Sequence, residues 1–538
     1  MNPLLAQIVA EVRMRLRSPA TLIAILAFVA AAFFWIPDPH GTATSLSWEL
    51  ADGRVQAPLY SAEYVGLAIS ILSSIFLALG GFYLVAGSVR RDRERNVGAI
   101  LAATPLSKTS YLGGKLAAHF VYLLVLASLG LTAGLAAFIR FGAGPFSLVD
   151  FTVPYLLTTI PAVAIVASVA VLFDVTPILR GRGGLVVWFF FFLFVLVKLP
   201  LDLSGVDIDA PDARFMRMPI YDPSGLATHQ WRVRQSLPEA VKGVSSGYVM
   251  HGKGFERVPW HGVPLAWDFV GIRALNLALA LVPFGLAVLL FDRFDPARAR
   301  RRKKQGVRSR IFGFGREPKK SDLTPEFFGA EEALRTELTP VHPAPTAVGA
   351  VFAEARLIFE SATWIKWPLA LSAILAGLLP GNLPAGIFLV LLVPVISEAA
   401  AREEMAGTRS LVFSQPGVPA SLVLWKTAAL ALVVAMLGAP MTIRGFVESP
   451  ARGLAAIAGL LAIAAICVGL GSLSSGGKLF TGLYVAAWYA AMSGGPWMDV
   501  TGALGKSAAP LVSLAYLGGG IVLVALAAAR ERMRASRI

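Results

Sequence analysis

The chain has 538 residues, 56% of them hydrophobic and only 15% charged, and its mean hydropathy of +0.67 excludes an ordinary soluble domain. Lys and Arg number 48 against 33 Asp and Glu, a net charge of +15 that suits basic loops facing anionic lipid better than a nucleic-acid footprint. The lone Cys467 rules out an intrachain disulfide and any cysteine cluster for zinc or iron–sulfur. At about 20 residues per span, the apolar runs make room for roughly ten to twelve transmembrane helices.

The segment Leu4 to Leu16 sets Leu4, Leu5, Ile8, Val9, Val12 and Leu16 at helical spacing among Glu11, Arg13, Arg15 and Arg17, and reads as an amphipathic helix in the cytoplasmic interface. The first span, Pro19 to Pro37, follows it, so the N-terminus is expected inside. The second span, about Val65 to Val89, ends in Arg90, Arg91, Arg93 and Arg95, which returns the chain to the cytoplasm by the positive-inside bias. Further spans fit at Leu116 to Phe138, Val153 to Phe173, Gly184 to Val197 and Phe269 to Phe291. An external loop over 201–267 lies before the sixth span, and residues 1–291 make one six-helix half.

Residues 292–344 form a basic cytoplasmic linker with Arg298, Arg300, Arg301, Arg302, Lys303, Lys304, Arg308 and Arg310. The second half, 345–538, carries apolar runs at Trp367 to Leu379, Leu383 to Ile396, Leu422 to Leu437, Leu454 to Leu470, Phe480 to Met492 and Leu511 to Ala529. Pro380, Gly381 and Pro384 mark either a tight external turn between two spans or a broken re-entrant segment. Two spans are the reading adopted, giving twelve in all and both termini cytoplasmic. The predicted fold is an all-α polytopic membrane protein.

The two halves resemble one another. Ala10-Glu11-Val12-Arg13 with Ser18 matches Ala353-Glu354-Ala355-Arg356 with Ser361, 343 residues later. Arg91-Asp92, Pro105 and Lys115 match Arg402-Glu403, Pro416 and Lys426, 311 residues later. The smaller offset reflects a longer first loop around Asp38 to Glu63, and loops absorb insertions cheaply. Six spans being an even number, the repeat is parallel, with its pseudo-axis along the membrane normal, unlike the inverted repeats of many transporters. Two pseudo-symmetric parallel bundles are expected.

The loops Arg90 to Lys115 and Arg402 to Lys426 each carry mixed charge, an apolar patch, a proline and then a span-starting lysine. In the first, Val97, Ile100 and Leu101 can share a helical face while Asp92, Arg93 and Glu94 stay polar, and Pro105 ends the element. A short helix of this kind suits docking on a soluble partner. Arg409 stands in the second copy where Gly98 stands in the first, so the two surfaces need not be equivalent.

The stretch RRDRERNVGAILAATPLSKTSYLGGK (90–115), preceded by an amphipathic element, a span and an external loop, resembles the permease subunits of type 2 ATP-binding-cassette exporters, the ABC-2 group. The resemblance covers both halves and is looser in AREEMAGTRSLVFSQPGVPASLVLWK (401–426), where Gln415 replaces the threonine before the proline. It implies two fused six-helix permease units. Leu4 to Arg17 and Val351 to Glu360 would be connecting helices, with Glu11, Arg13, Glu354 and Arg356. Glu94 to Ala103 and Glu403 to Phe413 would be coupling elements, with Asp92, Arg93, Glu94, Gly98, Leu101 and Pro105 in one and Arg402, Glu403, Glu404, Arg409 and Pro416 in the other. Two separate ATPase subunits on the cytoplasmic side would bind ATP and Mg, leaving no cofactor in this chain, and the cell (inner) membrane would be its location.

The chain has no GxxxxGK[ST] phosphate loop, so energy must come from a separate ATPase or an ion gradient, and the chain is not itself expected to be an enzyme. Asp150, Asp174, Asp268, Asp292 and Glu398 fall mostly at span ends, leaving no evident buried carboxylate dyad for proton coupling. His229, His251 and His261 are spaced too widely for an expected metal site. The 201–267 loop, rich in aromatics, could meet an external partner. The leading expectation is an ATP-driven exporter of an amphiphilic cargo such as a lipid or hydrophobic peptide. An ion-coupled transporter, or a non-transporting module linking an ATPase to an external partner, are the rival readings.

Overall fold

A long apolar run inside a bilayer finds no water for its backbone, so it must close its hydrogen bonds within itself as a helix. In the computed structural model each of the twelve predicted runs is helical over its described residues, the second and sixth with interruptions. The structure describes residues 3–95, 97–180, 182–194, 222, 225–237, 241–251, 254–263, 265, 267–294, 347–361, 365–413, 418–492, 495–505 and 510–535. Pro416 and nearly all of the linker lie outside the described residues, as does much of the 201–267 loop.

The N-terminal half opens with α1 (Pro3–Leu16) and α2 (Pro19–Trp35), bent by 70° from each other. Ser18 makes the corner a helix start, since its hydroxyl accepts from the Ala20 N–H and Pro19 fills the first helical position. After strands β1 (Ala43–Leu50) and β2 (Val55–Pro58) comes an interrupted helix. It consists of α3 (Ala62–Phe76), a π turn over Leu77–Gly81, α4 (Phe82–Val85), a break at Ala86 and Gly87, and α5 (Ser88–Glu94). The half continues with α6 (Val97–Ala103), α7 (Lys108–Phe141), α8 (Leu148–Val175), α9 (Arg182–Phe191), α10 (Leu226–Gln235), β3 (Val241–Met250), β4 (Glu256–Val258), α11 (Trp267–Leu279) and α12 (Leu281–Leu290).

The C-terminal half comprises α13 (Ala347–Ser361), α14 (Lys366–Leu378), α15 (Asn382–Ile396), α16 (Arg402–Ala406), α17 (Arg409–Phe413), α18 (Val418–Glu448), α19 (Pro450–Ser474), α20 (Lys478–Met492) and α21 (Pro510–Ala535). Helices α14 and α15 pack on one another across a turn in which Gly381 takes φ +96°, so this segment is two helices and not one. Helix α1 packs on α7 and α13 on α18; α2 packs on α7 and α14 on α18. One apolar core runs through both halves.

Among the described residues eight helices are long and apolar enough to cross a membrane, and nine if α1 and α2 count as one bent span. The remaining runs, α2, α9, α14 and α20, have 17, 10, 13 and 15 residues. At about 1.5 Å per residue they reach roughly 15–26 Å, short of a hydrocarbon core of about 30 Å. Among the described residues, length therefore supports eight full spans, or nine with the bent pair.

The chain is mostly helical, with one addition that the sequence did not signal. A four-stranded sheet in the order β3-β1-β2-β4 joins the first loop to the 201–267 loop, with β1 antiparallel to both β2 and β3 and β2 parallel to β4. It marks one end of the molecule, here the sheet end; the corner of α1 and α2 marks the other, the elbow end. Close helix packing beneath the sheet relies on Gly66 of α3, where an added Cβ would come within 2.3 Å of the Phe151 carbonyl oxygen of α8. Gly66→Ala is expected to push these helices apart and cost about 1–3 kcal/mol, measured as a lower unfolding midpoint.

Candidate functional site

The elbow end is built around a charge cluster with a lysine at its centre. Glu11 and Arg15 are one turn apart on α1, so both face α7, where Lys115 is almost wholly buried. Lys115 Nζ lies 2.9 Å from Glu11 Oε2 and 2.8 Å from Asp92 Oδ2. Arg91 Nη2 donates to Glu11 Oε1 at 2.6 Å, and the Tyr111 hydroxyl donates to Asp92 at 2.6 Å. The alternating signs satisfy each buried charge, the condition under which such a group is tolerated away from water.

The same cluster repairs the break between α4 and α5. Arg15 donates to the Leu84 and Val85 carbonyls at 2.7 and 3.0 Å, and Lys478 of α20 donates to the Ala86 carbonyl. On the other side of the break, Asp174 accepts from the Gly87 and Val89 N–H groups and the Ser88 hydroxyl. Gly87 is required there by its φ of +89°. Orphan carbonyls thus meet cations and orphan amides meet a carboxylate, as the helix dipole favours.

In the C-terminal half, ion pairs join the positions offset by 343 and 311 residues. Arg402 Nη1 bonds Glu354 Oε2 at 3.2 Å, as Arg91 bonds Glu11, and Lys426 pairs with Glu403, as Lys115 pairs with Asp92. Lys426 also donates to the Ala399 and Ala400 carbonyls where α15 gives way to a 3-10 turn. The first turn of α20 touches both breaks: Gly477 abuts the Ser397 carbonyl and Lys478 reaches that of Ala86. The Asp92 and Glu403 regions therefore lie at the same end of the molecule.

The halves are not identical here. Arg15 and His119, 3.2 Å apart through Arg15 Nη2 and His119 Nε2, have Ile358 and Leu430 at the corresponding positions, both buried and apolar. For Glu11, burial alone would raise its pKa, but Lys115, Arg15 and Arg91 together hold it at about 2. Glu354 has fewer cations about it, and burial outweighs Lys426 and Arg402 to raise its pKa. A depressed carboxylate contributes stability that is complete above its unfolded value near 4.5 and is lost as pH falls through its folded value near 2. Acid titration of the unfolding free energy should show Glu11→Gln removing roughly 3 kcal/mol of pH dependence within that window.

Two short helical elements, α6 and α17, project from this cluster. On α6, Leu101 turns toward the small apolar core of Tyr111, Leu112 and Phe291, while Ile100 is 68% exposed. The element is clamped to the exit of α12: Arg93 pairs with Asp292 at 2.9 Å, Arg293 donates to the Thr104 carbonyl, and Phe294 lies across Gly98. On α17, Leu411 is 70% exposed, and Arg409 pairs with Glu404 at 2.8 Å and with Glu531 of α21. Ile100 and Leu411 are 311 residues apart, the offset that relates the ion pairs. Each element is thus tethered to the last helix of its own half and presents an exposed aliphatic side chain.

Between the halves lies an apolar cavity of about 370 Å³. Phe28, the π turn at Leu77–Gly81, Leu126, Ile466, Phe480 and Tyr484 contribute to its walls. The π turn allows Gly80 to approach Gly482 of α20 almost backbone to backbone. Among the described residues no charged side chain lines the cavity, and the hydroxyls of Tyr484 and Tyr516 are bonded to the Leu389 and Trp497 carbonyls at 3.3 and 3.0 Å. The space suits an uncharged, apolar body.

Of the residues singled out in the sequence, Asp92, Glu403, Glu11, Glu354 and Arg402 are drawn into the two clusters and face the bundle. Glu94, Glu404, Pro105, Arg13 and Arg356 face outward, Glu94 and Arg356 within i,i+4 pairs to Arg90 and Glu360. Pro416 lies outside the described residues. Sequence reasoning missed Arg15 and His119, the capping by Asp174, Lys478 and the cavity. A signal for the break was present in Ala86-Gly87-Ser88, small residues interrupting an apolar run. Comparison with protein-family models, with curated proteins and with solved structures finds no match to this chain.

Proposed function

We propose that the chain is the membrane permease of an ATP-driven exporter of the ABC-2 type, with two parallel six-helix units fused in one polypeptide. The observation that carries this reading is the pair of exposed aliphatic side chains, Ile100 and Leu411, at corresponding places on two tethered elements at one end of the molecule. Two ATPase subunits holding ATP and Mg would seat on them from the cytoplasm, with the chain in the inner membrane and both termini cytoplasmic. Closure of the ATPase pair would pull on α6 and α17 and, through Arg93–Asp292 and Arg409–Glu531, on the last helix of each half. ATP would then bias the bundle between two access states. The apolar cavity between the halves supports an amphiphilic cargo, and the membrane lipid beside α2 is its natural source.

The test is reconstitution in liposomes with a soluble ATP-binding-cassette ATPase that co-purifies with the chain. ATP-dependent transfer of a fluorescent amphiphile, lost with a hydrolysis-dead ATPase, is the expected result. Transfer that depends on an ion gradient and ignores ATP would favour an ion-coupled transporter instead.

A further inference from the structure

A second cavity, of about 330 Å³, opens at the sheet end of the C-terminal half. It lies at the far end of α18 from Lys426, bounded by the turn between α14 and α15, the end of α18, the start of α19 and the loop at 501–505. Among the described residues its charged lining is Arg444 and Glu448 of α18 and Arg452 of α19, with Asn382 and Thr501 as uncharged polar neighbours. Two cations and one carboxylate give that lining an excess of one positive charge. Asp499, buried and outside the lining, accepts from the Leu504 and Gly505 N–H groups at 2.9 and 2.7 Å.

Both guanidinium groups clasp Glu448. Arg444 Nε and Nη2 approach its Oε1 at 2.8 and 2.7 Å, and Arg452 Nη1 donates to its Oε2. Arg444 has a structural task as well, since its Nη1 donates to the Ala376 and Leu379 carbonyls at the end of α14. Arg452 is placed less favourably. It stands in the first turn of α19, which the Ser449 hydroxyl already caps, and there the helix dipole opposes a cation. Departures from local preference of this kind concentrate at functional positions. The Arg444 and Arg452 side chains stay 19% and 31% exposed, so a ligand in the cavity can reach them.

The surroundings point to the source of an anion. Leu379, Leu383, Val447 and Leu454 are exposed and stand within two residues of the lining residues Gly381, Asn382, Glu448 and Arg452. A cationic cavity beside exposed aliphatic side chains, at the end of a helix long enough to cross a membrane, matches a phosphate whose ester carries acyl chains. We infer that this cavity binds a phosphate ester borne on a membrane lipid, with Arg452 and Arg444 donating to the phosphate oxygens and the acyl chains lying along the exposed aliphatic side chains. The site is independent of the ATPase reading and stands whether or not that reading holds.

The test uses the full chain in maltoside micelles with dihexanoyl phosphatidylglycerol, dihexanoylglycerol and glycerol phosphate as probes. The phosphatidylglycerol should bind at least about tenfold more tightly than dihexanoylglycerol, which lacks the phosphate. Arg452→Gln should weaken phosphatidylglycerol binding by about tenfold and leave dihexanoylglycerol binding unchanged. Glu448→Gln removes the carboxylate that competes for both guanidinium groups and should tighten phosphatidylglycerol binding by about threefold or more, which a purely structural ion pair would not do. If Arg452→Gln alone does not fold, Arg452→Gln combined with Glu448→Gln removes the pair together and should show the same loss relative to Glu448→Gln. Weaker binding of glycerol phosphate upholds the lipid as the source; binding as tight, with the same dependence on Arg452, keeps the phosphate site and overturns the lipid. Phosphatidylglycerol binding no tighter than dihexanoylglycerol, unchanged affinity in folded Arg452→Gln, or weaker binding in Glu448→Gln would overturn the inference.

Discussion

Lys115→Met is expected to destabilise the protein by about 3–5 kcal/mol, because it leaves the largely buried Asp92 without its close cation and takes one cation from buried Glu11. Glu11 would keep Arg91 and Arg15, but Asp92 would retain only the Tyr111 hydroxyl and a 3.9 Å approach from Arg91. The measurement is reversible unfolding in mixed micelles. A diagnostic second step is the double variant Lys115→Met with Asp92→Asn, which removes the stranded charge and should recover a large part of the loss. Lys426→Met is expected to act in the same direction, since Lys426 pairs with Glu403 and also closes the Ala399 and Ala400 carbonyls. If Lys115→Met unfolds as the wild type does, the cluster is not what holds the elbow to the bundle.

Ile100→Asp or Leu411→Asp should abolish stable association with the proposed ATPase partner while leaving the isolated membrane protein unchanged in melting temperature. Both side chains are about two-thirds exposed, so their replacement disturbs little of the fold. At the centre of a docked interface, however, a buried charge in place of an aliphatic anchor costs about 2 kcal/mol or more, roughly thirtyfold in affinity per site. Co-purification and ATPase stimulation read the effect. Charge reversal at Asp92 is a poorer probe, because Asp92 is bound inward by Lys115 and Tyr111, and its loss would act on the bundle before it acted on any partner.

Much of the helical layout was legible in the sequence, because an apolar run that can reach into a bilayer has only one way to satisfy its backbone. Of the charged positions that recur at fixed offsets, Glu11 and Glu354, Arg91 and Arg402, Asp92 and Glu403, and Lys115 and Lys426 form corresponding ion pairs, while Arg13 and Arg356 face outward. The direction each would face was not legible. Lys115 and Lys426 read as lysines at the start of a span, where snorkelling to water is ordinary, yet both are buried as the hubs of ion-pair clusters. Asp174 read as an acid at a span end; its task of capping α5 depends on a break 87 residues earlier in the chain.

The sheet escaped notice for a different reason. β1 is buried on both faces over Ala43–Trp48, so it lacks the alternation that marks a half-exposed strand. Composition identified the apolar runs of α9, α14 and α20, but where each helix stops depends on turns such as Leu379–Gly381, which local hydropathy does not encode. The cavity arises from the approach of α20 to the π turn, a contact between segments about 400 residues apart, and no local pattern announces it.

Sided labelling tests the central claim most directly. Single cysteines at Ile100 and at Leu411, each in a Cys467→Ala background, are treated with a membrane-impermeant maleimide in right-side-out and in inverted vesicles. The account predicts that both react only in inverted vesicles and that both become protected when the ATPase is bound. Reaction of the two positions from opposite faces, or of both from the external face, would contradict it.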